Sequence, residues 1–366
     1  MNKVKLKEIC RLINGRAYKQ QELLDNGKYP VLRVGNFFSD KDYYYSDLEL
    51  EEDKYCDNGD LLFAWSASFG PKIWSGGKVI YHYHIWKMEL SERVDRDYLY
   101  YYLLHLSERI KSEGHGGIMI HTTKAEMEER EFALPELTHQ RQIAELLSKA
   151  ASVIEMRKQE LQKLDELIKA RFVEMFGLPV SNTKKWKTEQ MGEIAPAVNY
   201  KGEFDDEIWL LNLDMVEAQT GRIIDYLIVS EDEVGNSTCT FDTSNVLYSK
   251  LRPYLNKVVI PDRCGYATSE LVPLQPVNSK LNREYFAFML RSDEFVSMIN
   301  EKVAGAKMPR VSMGDFRKFD VPVPPLELQE QFAECVKQVD KSKVAVQAAL
   351  DKAQLLFDSL MQEYFG

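Results

Sequence analysis

The hydrophobic pattern of this chain changes character in two places. Between Leu134 and Gly177, apolar residues recur at Ile143, Leu147, Ala150, Ile154, Leu161, Leu164, Ile168 and Met175. The steps alternate between four and three, the period of a coiled-coil seam rather than of one face of a globular helix. Pro135 opens the stretch and Gly177 closes it. The spacing predicts one helix of ~37 residues, roughly 55 Å long at about 1.5 Å per residue. Arg157 and Arg171 are charged breaks in this seam. A stripe of that length cannot be buried against itself, so it needs an equally long partner.

The partner is a second copy of the same stretch. A shift of 189 carries Pro135 to Pro324, Leu137 to Leu326, Gln140 to Gln329, Leu161 to Leu350, Phe176 to Phe365 and Gly177 to Gly366 without a gap. The second seam runs through Phe332, Val336, Val339, Val346, Leu350, Ala353, Phe357, Leu360 and Tyr364, with Lys343 as its charged break. An internal repeat of this length is the strongest signal in the sequence.

Outside the two stretches the pattern shortens. Residues 1–133 read as a mixed α/β domain. A short helix is expected over Lys3–Gly15, strands over Tyr29–Phe37, Asp60–Trp65 and Lys78–Leu90, and a helix over Asp95–Gly114. Residues 178–322 repeat that order with other side chains: SNVLYSKLRPYLNKVVI answers GDLLFAWSASFGPKIW, and WLLNLDMVE answers VLRVGNFFS. The predicted class is α+β, with two α/β domains in pseudo-symmetric repeat and long helices over 134–177 and 323–366.

Composition narrows the setting. No apolar run approaches the ~18–20 residues of a membrane span, and charges through MNKVKLKEIC argue against a signal peptide. Five scattered cysteines, none in a C-x-x-C pair, suggest reduced thiols in a cytoplasmic protein. The net charge of −10 argues against a uniformly basic nucleic-acid binder, yet what matters is the charge on one face. Acid is concentrated between Asp40 and Asp60, a loop expected to point away from any bound DNA.

This layout resembles the DNA-specificity (S) subunit of type I restriction–modification systems. Its motifs are LPELTHQRQIAELL (Leu134–Leu147) and VPPLELQEQFAECV (Val323–Val336), two copies in register, each following a domain of similar length. The resemblance covers essentially the whole chain. It implies that each α/β domain is a target-recognition domain reading one half of a bipartite, asymmetric DNA sequence. It also implies that the helices pair antiparallel within the chain, set the spacing and dock two methyltransferase (modification) subunits. Restriction (endonuclease/translocase) subunits are further implied partners. S-adenosylmethionine, ATP and Mg2+ belong by the same implication to the partner subunits, and no cofactor or metal is expected on this chain.

Base edges are read chiefly by Arg, Lys, Asn and Gln, and phosphates by Lys, Arg and Ser. Loop positions of those types in the first domain are Arg16, Tyr18, Lys19, Arg33, Asn36, Ser68, Lys72 and His121. In the second they are Lys201, Asn212, Lys250, Arg252, Tyr254, Asn256, Lys307 and Arg310. GAKMPR stands out because two bases in a glycine loop precede a helix N-cap at Ser312. His82 and His84 read as two histidines on one face of a strand, structural or surface residues because no third metal ligand lies near. No catalytic motif is present: no G-x-x-x-x-G-K-S/T, H-E-x-x-H or G-x-S-x-G. A non-catalytic DNA-binding subunit is therefore expected; the alternative is a coiled-coil adaptor with two protein-binding modules and no DNA.

Overall fold

A computed structural model describes residues 3–39, 41–66, 69–113, 122–204, 207–303 and 308–366. Contacts divide the chain into two compact units, Met1–Lys158 with Ala348–Gly366, and Gln159–Gln347. The cuts at Lys158 and Gln347 lie 189 residues apart, the period of the repeat. Each unit therefore holds one α/β domain, the half-helix next to it in sequence, and a half of the other long helix.

In the first unit one sheet has the order Cys10–Asn14, Ile85–Leu90, Leu61–Ala64, Gly70–Ile73, all antiparallel. A second has the order Tyr44–Ser46, Tyr29–Leu32, Val79–Tyr81, Tyr55–Cys56, with its two central strands parallel. The helix Arg96–Glu113 buries Tyr98, Leu99, Leu103 and Leu106 among Leu12, Phe63 and Trp86.

The second unit has the same plan. Leu227–Val229, Ile208–Leu211, Gly265–Thr268 and Thr238–Phe241 form the mixed sheet, again with a parallel central pair. Val258–Val259, Val246–Ser249 and Leu271–Leu274 form the antiparallel one. Where the first unit has the strand Cys10–Asn14, the second has a single bridge, Ala197 to Leu274.

Three elements differ from expectation. Lys3–Gly15 is strand, turn and strand rather than a helix: Cys10 and Leu12 face the core while Arg11 faces solvent beside Glu89, an alternation of two that pairing with Trp86–Leu90 fixes. Tyr29–Phe37 stops as a strand at Leu32, because Asn36 accepts a hydrogen bond from the Arg33 amide at 3.3 Å and starts the helical turn Val34–Phe38. Lys78–Leu90 is two strands in different sheets, and His82–His84 form the turn between them. The two histidines therefore do not share a strand face.

Both long helices are continuous over 40 residues, Leu137–Phe176 and Leu326–Phe365. In the first unit Ile143 and Leu147 bury against Met361. In the second, Ile168 and Met175 bury against Phe332, Val336 and Val339. There Lys343 pairs with Asp165 at 2.5 Å, while Phe172 and Phe176 each lie 5.5 Å from Phe332. Numbers fall on one helix as they rise on the other, so the pairing is antiparallel. Arg171 is not in the seam; it is exposed on Glu174, and Phe172 takes the buried place.

The duplicated motif has a structural explanation. Gln140 is fully buried: its Oε1 accepts the Asp95 amide at 2.8 Å and its Nε2 donates to the carbonyls of Arg93 and Pro135. Gln329 does the same with Asn282, Lys280 and Pro324. Each glutamine thus clamps the start of a long helix to the start of a domain helix, satisfying backbone groups that would otherwise be orphaned.

Candidate nucleic-acid interface

In the second unit the strand Val246–Ser249 runs out into the loop Lys250–Lys257. The Lys250 amide donates to Glu270 O at 3.0 Å, and the Val311 amide to Lys250 O at 2.9 Å. The Arg252 amide donates to Pro309 O at 2.8 Å, and the Gln219 amide to Leu255 O at 2.9 Å. Backbone bonds therefore knit four loops into one surface. Arg252, Asn256 and Gln219 have φ of 48°, 50° and 69°, conformations that cost non-glycine residues about 1–3 kcal/mol each and persist only where the surroundings impose them.

The side chains divide sharply. Asn256 is buried and donates through Nδ2 to Arg291 O at 2.9 Å, while Arg291 donates to Val258 O. Arg252 and Tyr254 are exposed, Tyr254 by 47%. Arg310 donates to Glu270 through Nε at 3.1 Å and Nη2 at 2.8 Å, so its guanidinium is held in a fixed plane. Lys250 is half-buried beside them. Of the residues named from sequence, Lys250, Arg252, Tyr254 and Arg310 come together here. Asn256, also named from sequence, is buried here, its amide supporting the loop rather than facing solvent.

The first unit repeats two of these backbone bonds with other residues. The Trp65 amide donates to His84 O at 3.1 Å and the Thr122 amide to Trp65 O at 3.4 Å, the two bonds that Lys250 makes with Glu270 and Val311. The parallel pairs Leu32–Tyr81 and Leu211–Ala267 fix the rest of the correspondence. Arg33 matches Asn212, and His82, Tyr83 and His84 match Thr268, Ser269 and Glu270. Rings of Trp65 and His84 lie 4.9 Å apart, Tyr83 and His84 4.0 Å, and His82 and His84 4.8 Å. Tyr18 stacks at 6.5 Å on His82. Burial, with His84 and Arg33 nearby, pushes the His82 imidazole down to about 4, and burial lowers His84 as well.

The remaining candidates scatter. Arg16 is engaged bidentately by Glu22 at 3.1 and 2.8 Å, and its guanidinium lies over Tyr18. Tyr18 is half-buried, its hydroxyl 3.4 Å from Tyr81 O. Lys19, Arg33 and Lys201 are exposed, Arg33 over the ring of Tyr44, and Asn212 is half-buried. Lys72 donates to Phe37 O at 2.7 Å. Asn36 is buried, with Nδ2 closing the loop onto the carbonyls of Lys41 and Asp42. Ser68, His121 and Lys307 lie outside the described residues.

In the acidic stretch Glu49 pairs with Lys28, Glu52 with Lys78, Asp53 with Lys54 and Asp60 with Lys87, so much of its charge is offset locally. Among the described residues no group of three or more His, Cys, Asp or Glu is placed to hold a metal ion, and no helix is long and apolar enough to cross a membrane. All five cysteines are free thiols. Sequence reasoning did not single out Trp65, Tyr83 and His84 as candidates for DNA contact. The signal was present in the aromatic run Tyr81–Ile85, but assigning it to a strand hid the turn that carries it.

Comparison with known proteins gives a consistent result. The sequence model of the family described as "Type I restriction modification DNA specificity domain" matches residues 1–166 and 184–353. The EcoDI type I restriction enzyme specificity subunit of Escherichia coli is 23% identical over 405 residues, covering 99% of this chain and 87% of that one. The MjaVIII specificity subunit of Methanocaldococcus jannaschii is 23% identical over 77% of this chain and 72% of its own. The crystal structure of a type I restriction–modification S subunit from M. genitalium superposes with a TM-score of 0.58 at 17% identity, covering 100% of this chain and 96% of that chain. A chain from a structural study of complex assembly and conformational transition of the type I R-M system gives 0.60 at 14% identity, covering 100% of this chain and 97% of its own.

Proposed function

Because this chain belongs to the DNA-specificity family of type I restriction–modification systems, we propose that each α/β domain reads one half of a bipartite, asymmetric DNA target. The observation that carries this is the pair of matching loop surfaces. One framework presents Lys250, Arg252, Glu270 and Arg310 in one unit and Trp65, Tyr83 and His84 in the other. Two copies of a framework with unlike chemistry at equivalent positions suit two unlike half-sites.

In the C-terminal domain Arg252 and Arg310 are the base-reading cations, since a guanidinium forks onto guanine O6 and N7. Lys250 and Tyr254 flank them at the backbone. In the N-terminal domain Arg33 and Lys19 supply phosphate contacts. The paired helices set the distance between half-sites: 40 residues correspond to ~60 Å, a length fixed by residue count.

The chain is non-catalytic in this reading, and two methyltransferase subunits dock on the helices. Leu167 and Leu356, identical and 189 residues apart, are exposed by 52% and 56%. An apolar residue kept outward in both copies, among charged Glu166 and Lys169, supports a docking surface that occurs twice. Restriction subunits complete the complex; S-adenosylmethionine, ATP and Mg2+ are used by the partners.

Titrating the full chain against random duplex DNA at several salt concentrations tests the reading against the adaptor alternative. A DNA-binding subunit shows log affinity falling linearly with log salt, by about 0.9 per phosphate neutralised. An adaptor shows no such slope.

A further inference from the structure

At the positions where the second unit places Lys250 and Glu270, the first places Trp65 and His84. The rings there are locked to one another. Trp65 Nε1 donates to Tyr83 O at 2.9 Å, and the His84 amide donates to His82 Nδ1 at 3.4 Å, which leaves the His82 proton on Nε2. Trp65 also stacks at 5.9 Å on the core ring of Trp86, which itself lies 5.9 Å from Phe63. The cluster is therefore anchored in the hydrophobic core and open at its tip, where Tyr83 is 37% exposed.

We propose that Trp65, Tyr83 and His84, with His82 supporting them, form the base-contacting surface of the N-terminal domain, and that this domain reads its half-site through uncharged contacts. The proposal rests on the reading of the chain as a DNA-specificity subunit and adds which residues specify one half and by what chemistry. A neutral imidazole offers one donor and one acceptor, and a tyrosine hydroxyl offers both, so either can match a base edge. Ring faces and edges suit the thymine methyl group. Burial lowers both imidazoles from their ordinary value, His82 to about 4, which favours the neutral form over a phosphate-binding cation. Rigid rings carry few rotatable bonds, so little conformational entropy is lost on contact. Arg33, exposed over Tyr44 and close enough to His82 to lower its pKa, supplies the charge at the border of the patch.

The test uses the full chain and a pool of duplexes with a random central region, with the retained sequences read out. The salt slope is then measured on the duplex that the unaltered chain selects. Tyr83→Ala and His84→Gln are made separately. Tyr83 lies at the exposed tip and His84→Gln keeps a polar side chain in the turn, so neither opens the core. The expected result is relaxation of one and the same half-site by both variants, with affinity for the selected duplex reduced roughly tenfold. The other half-site and the salt slope stay unchanged. Arg33→Ala instead lowers the slope by about one without relaxing the motif. Variants that select the unaltered motif overturn the proposal, as does a drop in slope on losing Tyr83 or His84. An unaltered chain that retains no duplex overturns the DNA reading itself, a distinguishable failure.

Discussion

Gln140 and Gln329 each hold the start of a long helix to a domain helix through one buried amide. Gln140 and Gln329 stood out as repeated letters, but their role needed geometry: a buried amide making three hydrogen bonds to two elements. Replacing Gln329 by Leu leaves the Asn282 amide and two carbonyls without partners. We expect a loss of roughly 2–4 kcal/mol in urea unfolding monitored by tryptophan fluorescence. Asn36 and Asn256 have the chemistry of base readers but are buried and hydrogen-bonded within their loops, because sequence shows a side chain's chemistry and not the direction it faces. Arg252 allows a cleaner experiment. Glycine accepts φ near +50° without strain, so Arg252→Gly removes the guanidinium while the loop keeps its path. Thermal stability should hold or rise, and affinity for the cognate duplex should fall by about 1–3 kcal/mol in fluorescence anisotropy.

His82 gives the residue scale a pH dependence. Its imidazole is lowered to about 4 in the folded chain by burial, then by His84 and Arg33, while in the unfolded chain it titrates near 6.5. Between those values the unfolded state binds the additional proton, so folding stability falls as pH drops from about 6.5 to about 4. Replacing His82 with Gln should flatten that part of the stability profile. A profile as steep as that of the unaltered chain would show that other groups control it.

At the scale of elements, the long helices were the most legible part of the chain and the first strands the least. A seam sustained over 40 residues has no competing explanation, whereas Lys3–Asn14 is short enough for a three-to-four spacing and an alternation of two to fit the same letters. Pairing with Ile85–Leu90 decides between them, and pairing is non-local. The helix ends matter as much as the seam. Phe176 lies 4.6 Å from Tyr285 in the second unit, and Phe365 lies 5.3 Å from Tyr98 in the first. Each domain is thus completed by the last turn of the helix that follows the other domain in sequence. Phe176→Ala, at a position only 3% exposed, should destabilise the second unit by about 3–5 kcal/mol in differential scanning calorimetry. A change below ~1 kcal/mol would mean that the helix end is incidental to that core.

For the whole molecule, the 189-residue repeat carries the argument, since it appears in the motifs, in the sheet orders and in the cuts between compact units. The duplication was readable from sequence; the equivalence of individual loop residues was not, because it rests on backbone bonds such as Trp65 to His84 and Lys250 to Glu270. If the helices act as a ruler, removing one heptad from each shortens them by about 10 Å, close to three base pairs of B-DNA. The selected spacer should shrink accordingly while both half-site sequences persist.

The most direct test is an exchange of residues 178–322 for the corresponding domain of a relative with a different target, followed by sequencing of the duplexes the full chain selects. The account predicts a two-part motif in which one half changes to the donor's and the other half and the spacer stay as they were. A motif that changes in both halves, or in neither, would contradict it.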